Sequence, residues 1–142
     1  MGNAAPKLAG VELLEAVSEF VTRTYGQHLG TGHVQATSYC RDDVLMCVLR
    51  NTLTVEDKRL LASGDASDVH ANRLRMQEGM RDELVGGVEE LTGRRVTELI
   101  TAHDIDPEFA SETFVHDARE IFLLNGLLPG CAGRGLMEPQ PE

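Results

Sequence analysis

The hydrophobic positions change period along the chain, and each change marks an element. Val11, Leu14, Val17 and Val21, with Leu13 and Phe20 beside them, recur at spacings of three and four. They form one apolar helix face, which predicts a helix over residues 10 to 27 that stops at Gly26, Gly30 and Gly32. Val34, Ala36, Ser38 and Cys40 then alternate with Gln35, Thr37 and Tyr39, as a strand with one covered face does. Arg41-Asp42-Asp43 reads as a turn, and Val44 to Leu49 follows as an unbroken apolar run. A run too short for a helix and flanked by turns reads as a strand covered on both faces. Helices can cover one of those faces, so Val44, Met46 and Val48 are expected to form an interface on the other, with a second copy of the chain as the most economical cover, although a flexible tail folding back would also serve.

Leu53-Thr54-Val55-Glu56-Asp57 carries a helix start, the Thr54 hydroxyl being placed to accept a backbone N–H near Asp57. A short helix to Ala62 should end at Gly64. From about Asp65 the pattern of Val69, Met76, Met80, Leu84, Val88 and Leu91, flanked by Leu74 and Val85, predicts the longest helix of the chain, ended by Gly93. Gly79, Gly86 and Gly87 each cost about 1 kcal/mol against Ala inside such a helix, so they are expected to allow close packing against a neighbour. Val96 to Thr101 reads as a third strand, residues 104 to 108 as a loop, and Phe109 to His116 as a fourth strand; 117 to 124 adds a last helical turn or two. The order α-β-β-α-α-β-β, with hairpins followed by helices, is α+β, an antiparallel sheet of two hairpins packed by helices on one face. Residues 1 to 9 and 125 to 142 read as flexible tails, and 10 to 124 as a single domain.

Composition narrows the function classes. The chain has 142 residues, 23 acidic and 13 basic, for a formal net charge of -10. That balance argues against nucleic acid, whose phosphate backbone is bound by clustered Lys and Arg. No stretch approaches the roughly 18 to 20 apolar residues of a membrane span, so direct membrane insertion is not expected. The N-terminal residues lack a basic flank before an apolar run, and a cytoplasmic location follows. Cys40, Cys47 and Cys131 form no Cys-x-x-Cys pair. With a turn at Asp42-Asp43, Cys40 faces Leu45 and Ser38 faces Cys47, leaving the two thiols diagonal at about 7 Å, beyond the usual disulfide geometry. Reduced, packed thiols are the expectation.

Candidate chemistry is sparse. His103, Asp104, Asp106 and His116, with Glu108, are the nearest approach to a metal constellation, since loop carboxylates suit a hard cation and carboxylates with His suit zinc or manganese. The Gly and bidentate Glu of an EF-hand are missing, and a solvated acidic hairpin loop explains the same residues. Gly26 to Gly32 follows a helix and precedes a strand, the reverse of a phosphate-binding loop. Arg73, Arg75 and Arg81, then Arg94 and Arg95, form a local excess of positive charge, but acidic residues interleave with the first three as for ion pairs on a wet face. Arg94 and Arg95 are the residues to test for an anion or other ligand. No catalytic grouping is recognisable and no cofactor is expected.

Asp43 to Leu61 with its phrase Leu53-Thr54-Val55-Glu56, then Val88-Glu89-Glu90-Leu91-Thr92-Gly93-Arg94-Arg95-Val96, His103-Asp104-Ile105-Asp106-Pro107-Glu108 and Thr113-Phe114-Val115, together resemble the small bacterial MpsC family, over residues 10 to 117. The family label denotes a subunit of a sodium-translocating membrane-potential-generating system. The resemblance implies a cytoplasmic accessory protein of a membrane-bound ion or bicarbonate uptake system, with a transporter subunit as partner, and it carries no catalytic residue set. Where family members usually have Gly-x-Gly-Pro between the first helix and first strand, this chain has Gly30-Thr31-Gly32-His33. The expectation is therefore a non-enzymatic regulatory or adaptor domain, homodimeric, acting by protein-protein binding. The rival is a small metal-dependent enzyme or ligand-sensing domain using the 103 to 116 acidic and histidine loop.

Overall fold

The computed structural model describes residues 10 to 117. They form α1 (Gly10–Leu29), β1 (Gln35–Arg41), β2 (Val44–Arg50), α2 (Val55–Ala62), α3 (Ala66–Thr92), β3 (Val96–Ile105) and β4 (Glu108–His116). This is the α+β order that the sequence predicts. The expected tails and the expected helical turn after residue 117 lie outside the described residues. Thr54 caps α2 as its position suggested: its hydroxyl accepts the Asp57 N–H at 3.0 Å, and the Asp57 carboxylate accepts the Thr54 N–H at 2.9 Å. Gly93 ends α3 in the left-handed conformation at φ 72°, which a residue without Cβ reaches cheaply.

The sheet is antiparallel with strand order β1-β2-β4-β3. The second hairpin adds to the first through β4, so β2 and β4 are central and β1 and β3 are edges. β3 continues to Ile105, further than its apolar residues indicated, because pairing with β4 runs on through Asp104↔Phe109 and Ile105↔Glu108.

Helices α1 and α3 lie on one face of the sheet, and α2 packs on α3. α1 contributes Leu13, Leu14, Val17, Val21 and Tyr25 to the core and packs mainly over β1, whereas α3 lies over β3 and beside α1. The sheet answers with Cys40, Leu45, Phe114 and Leu99, one row across all four strands. The glycines of α3 divide. A Cβ on Gly87 would collide with the Phe20 ring of α1, so its absence lets the helices approach, whereas Gly79 and Gly86 have nothing within 4 Å.

The register confirms Cys40 opposite Leu45 and Ser38 opposite Cys47. Cys47 is a free, buried thiol. Cys40 is disulfide-bonded, a correction to the expectation of reduced thiols, and its diagonal neighbour Cys47 is not its partner. On β2 the apolar run is covered fully on one face only. Leu45, Cys47 and Leu49 are buried, while Val44, Met46 and Val48 are half-buried because α1 and α3 sit on the opposite face.

Candidate functional site

The sequence candidates scatter over the hairpin of β3 and β4. His103 pairs with Ala110 and His116 with Val96, which places the two imidazoles at opposite ends of the hairpin. Successive strand residues point to opposite faces, so Asp104 is turned away from the side that His103 occupies. Asp106 is in the connecting turn. Among the described residues no group of three or more His, Cys, Asp or Glu is arranged to hold a metal ion. Glu108 is engaged elsewhere: its carboxylate accepts the Asn51 N–H at 2.9 Å, the Thr52 N–H at 2.6 Å and the Thr52 hydroxyl at 2.5 Å. Burial pushes its pKa up, but those hydrogen bonds outweigh burial and hold it below the ordinary range. Arg94 is buried, whereas Arg95 is exposed and donates to Asp117 Oδ2 at 2.6 Å, so the two do not form one open cationic pair.

Beneath α1 and α3 lies a polar cluster that the alternation of strands and the phase of helices bring together. Ala110, Glu112, Phe114 and His116 are the inward positions of β4, so Glu112 is carried into the core with no exposed surface. Tyr25 follows Val21 by one helical turn on the buried face of α1, and its hydroxyl donates to Glu112 Oε2 at 2.5 Å. Arg73 and Gln77 follow Val69 at intervals of four on α3 and are equally buried. Gln77 Nε2 donates to the Tyr25 hydroxyl at 3.0 Å and to the Ala102 carbonyl at 3.1 Å. A carbonyl only accepts, so the Ala102 contact fixes which way the amide points. Gln77 Oε1 therefore faces His103 Nδ1 at 3.1 Å, and His103 Nε2 faces Nδ1 of the exposed His70 at 3.0 Å.

The electrostatics follow from burial. Glu112 is pushed up to about 7 by desolvation, against the lowering effects of the Tyr25 hydrogen bond, the Arg81 charge and Gln77. Desolvation and the Glu112 charge raise the Tyr25 phenol well above its ordinary value. His103 is lowered by desolvation and by the nearby His70 and Arg73, with Asp104 opposing. At the other end of β4, burial lowers His116. Arg73 donates to the Thr52 carbonyl at 2.5 Å and to Asp57 Oδ2 at 3.3 Å, tying α3 to the capped start of α2.

None of Tyr25, Gln77 or Glu112 was singled out by sequence reasoning, which placed Arg73 on a wet face. The usable signal was phase. Each polar residue occupies a position that the hydrophobic period assigns to the interior, at an i+4 step on the helices or an alternate step on β4.

A second feature is a cleft of about 850 Å³ between the end of α1 and the β2–α2 connection. Gly30, Thr31 and His33 line one side, and Asn51, Thr54 and Glu108 are among the residues of the other. The loop that holds Gly30, Thr31 and His33 therefore forms one wall of this cleft.

Residues 11–118 match the family model described as Na+-translocating membrane potential-generating system (MpsC). The chain belongs to the MpsC family. The match spans the two-layer unit of helices and sheet, including β4 and its buried Glu112, and its description points to a component of a membrane-potential-generating system. No curated protein and no solved structure matches the chain. No helix among the described residues of this MpsC chain is long and apolar enough to cross a membrane.

Proposed function

We propose that this MpsC domain is a non-enzymatic accessory protein of a membrane ion or bicarbonate uptake system, working by protein-protein binding through the outer face of its sheet. The observation behind this reading is the composition of that face. Its rows run Arg41–Val44–Val115–Glu98, Tyr39–Met46–Thr113–Ile100 and Thr37–Val48–Ser111–Ala102 across the four strands. The centre is apolar, Ile100 is 52% exposed, and no helix among the described residues packs there.

The charges at the two edges make a second copy a good cover. Arg41 stands at the β1 edge and Glu98 at the β3 edge of the same row. A two-fold axis parallel to the strands would lay each copy's β1 edge over its partner's β3 edge, so Arg41 would meet Glu98 while Val44, Met46 and Val48 fill the middle. A transporter subunit engaged by the homodimer, in the cytoplasm, completes the proposal.

A photo-crosslinking residue substituted at Met46 in the native cell tests it. Crosslinks to a second copy of the chain are expected, with an integral membrane protein co-purifying with the crosslinked pair, and no such crosslink forms from a control position at Glu90 on the outer side of α3. Equal products from both positions would remove the outer face from the proposal.

A further inference from the structure

We propose that Glu112 is a proton-binding site whose charge is coupled to the surface pair His70 and His103 through Tyr25 and Gln77. The chain of hydrogen bonds has one direction. Gln77 must donate toward Ala102 and Tyr25, which leaves the Tyr25 hydrogen for Glu112 Oε2. Gln77 Oε1 accepts from His103, so the neutral His103 carries its proton on Nδ1 and its bare Nε2 accepts from His70 Nδ1. Every donor thus points toward the carboxylate, the arrangement in which an anion at one end polarises each bond along the line.

Glu112 is poised rather than fully satisfied. Its Oε1 is buried and has no hydrogen-bond partner among the described residues. From α1 it faces Tyr25, and from α3 it faces Gln77 with Arg81 as the nearest favourable charge. On β2 its register partner is Cys47, and on β3 it is Thr101. Arg73 of α3 is near Tyr25 but is held by Asp57 of α2. Among the described residues no cation lies in a salt bridge with the carboxylate, so charge and neutrality are close in free energy, in line with its rise to about 7.

The consequence is a linkage between core and surface. With Glu112 charged, the aligned bonds strengthen the hold of the histidine pair on a proton at the far end. With Glu112 neutral that pull is lost, so a change of pH near neutrality alters the imidazoles that α3 and β3 present to a partner. This does not depend on the outer face being an interface.

Titration by NMR of the full chain, with the Glu side-chain carboxyl carbons and the His ring nitrogens labelled, tests the proposal. Glu112 should titrate near neutral pH, and the ring nitrogens of His103 should show an inflection at the same midpoint. Tyr25→Phe removes one hydroxyl from the chain, and in it the His103 inflection that tracks Glu112 should vanish. Glu112→Gln, which keeps the shape and removes the titration, should do the same. An ordinary carboxylate midpoint for Glu112 in the unaltered protein would overturn the proposal without recourse to any variant. So would a His103 profile that is unchanged in Glu112→Gln.

Discussion

The two faces of the sheet invert the usual distribution of polarity. The inner face, sealed by α1 and α3, carries Glu112 and His116 among Leu45, Cys47, Phe114 and Leu99. The outer face, which no described helix covers, carries Val44, Met46, Val48, Val115 and Ile100. Neither inversion helps an isolated subunit fold. A buried carboxylate costs desolvation, and an apolar sheet face left to water forgoes the stabilisation that burial gives. The lesson is that the residues out of place for folding are the ones to examine for function, inward for a proton and outward for a partner.

Substitutions that separate the faces should differ in size. Phe114→Ala, at a fully buried inner position, should cost about 3 to 5 kcal/mol by denaturant unfolding. Arg73→Ala would leave Asp57 without its buried ion-pair partner and the Thr52 carbonyl without its donor, for a loss of about 3 kcal/mol or more, because the partner's charge stays buried. Gly87→Ala should cost about 1 to 3 kcal/mol, since Phe20 must move to admit the methyl group, while Gly86→Ala should be neutral or slightly stabilising.

The inner face also sets a pH dependence whose sign can be worked out. A carboxyl raised in the folded chain favours folding most below its ordinary value of 4.5, and that contribution is lost as pH rises through about 7. His103 and His116, both lowered, act the other way: their contribution is present above 6.5 and is lost as pH falls below it. The two effects oppose one another around pH 6.5, the midpoint of an unfolded imidazole, so the Glu112 part is read by comparison with a variant that lacks it. Between pH 6.5 and 8 the stability of the unaltered chain, measured against that of Glu112→Gln by thermal or urea unfolding, should therefore fall by about 1 kcal/mol. Last in size, Met46→Ala on the outer face should change the subunit's own stability by less than about 1 kcal/mol.

Much of this fold was legible because period and punctuation agreed. The spacing of Val11, Leu14, Val17 and Val21, the cap at Thr54, the stop at Gly93 and the pairing of Ser38 with Cys47 all follow from local rules that tertiary contacts did not override. The sites were less legible. Histidines and carboxylates close in sequence at 103 to 116 invited a metal site, but pairing separates His103 from His116 and alternation turns Asp104 away from His103. The cluster that does assemble draws on residues 25, 77, 103 and 112, whose proximity exists only once α1, α3 and the sheet are stacked. Phase held the information that Tyr25, Arg73, Gln77 and Glu112 point inward, although the charge pattern around Arg73 read as a wet face; which of them would touch was beyond any local rule. Met76 and Leu74 show the cost of reading apolar residues without phase. Gln77 takes the buried position beside Met76, and Leu74 is 54% exposed.

Sedimentation velocity at micromolar concentration bears most directly on the outer face as a binding surface. The unaltered chain should sediment as a dimer, and Met46→Asp, which places a charge at the middle of the apolar rows, should sediment as a monomer with its helical content kept. An unaltered chain that stays monomeric throughout that range would contradict the two-fold assembly.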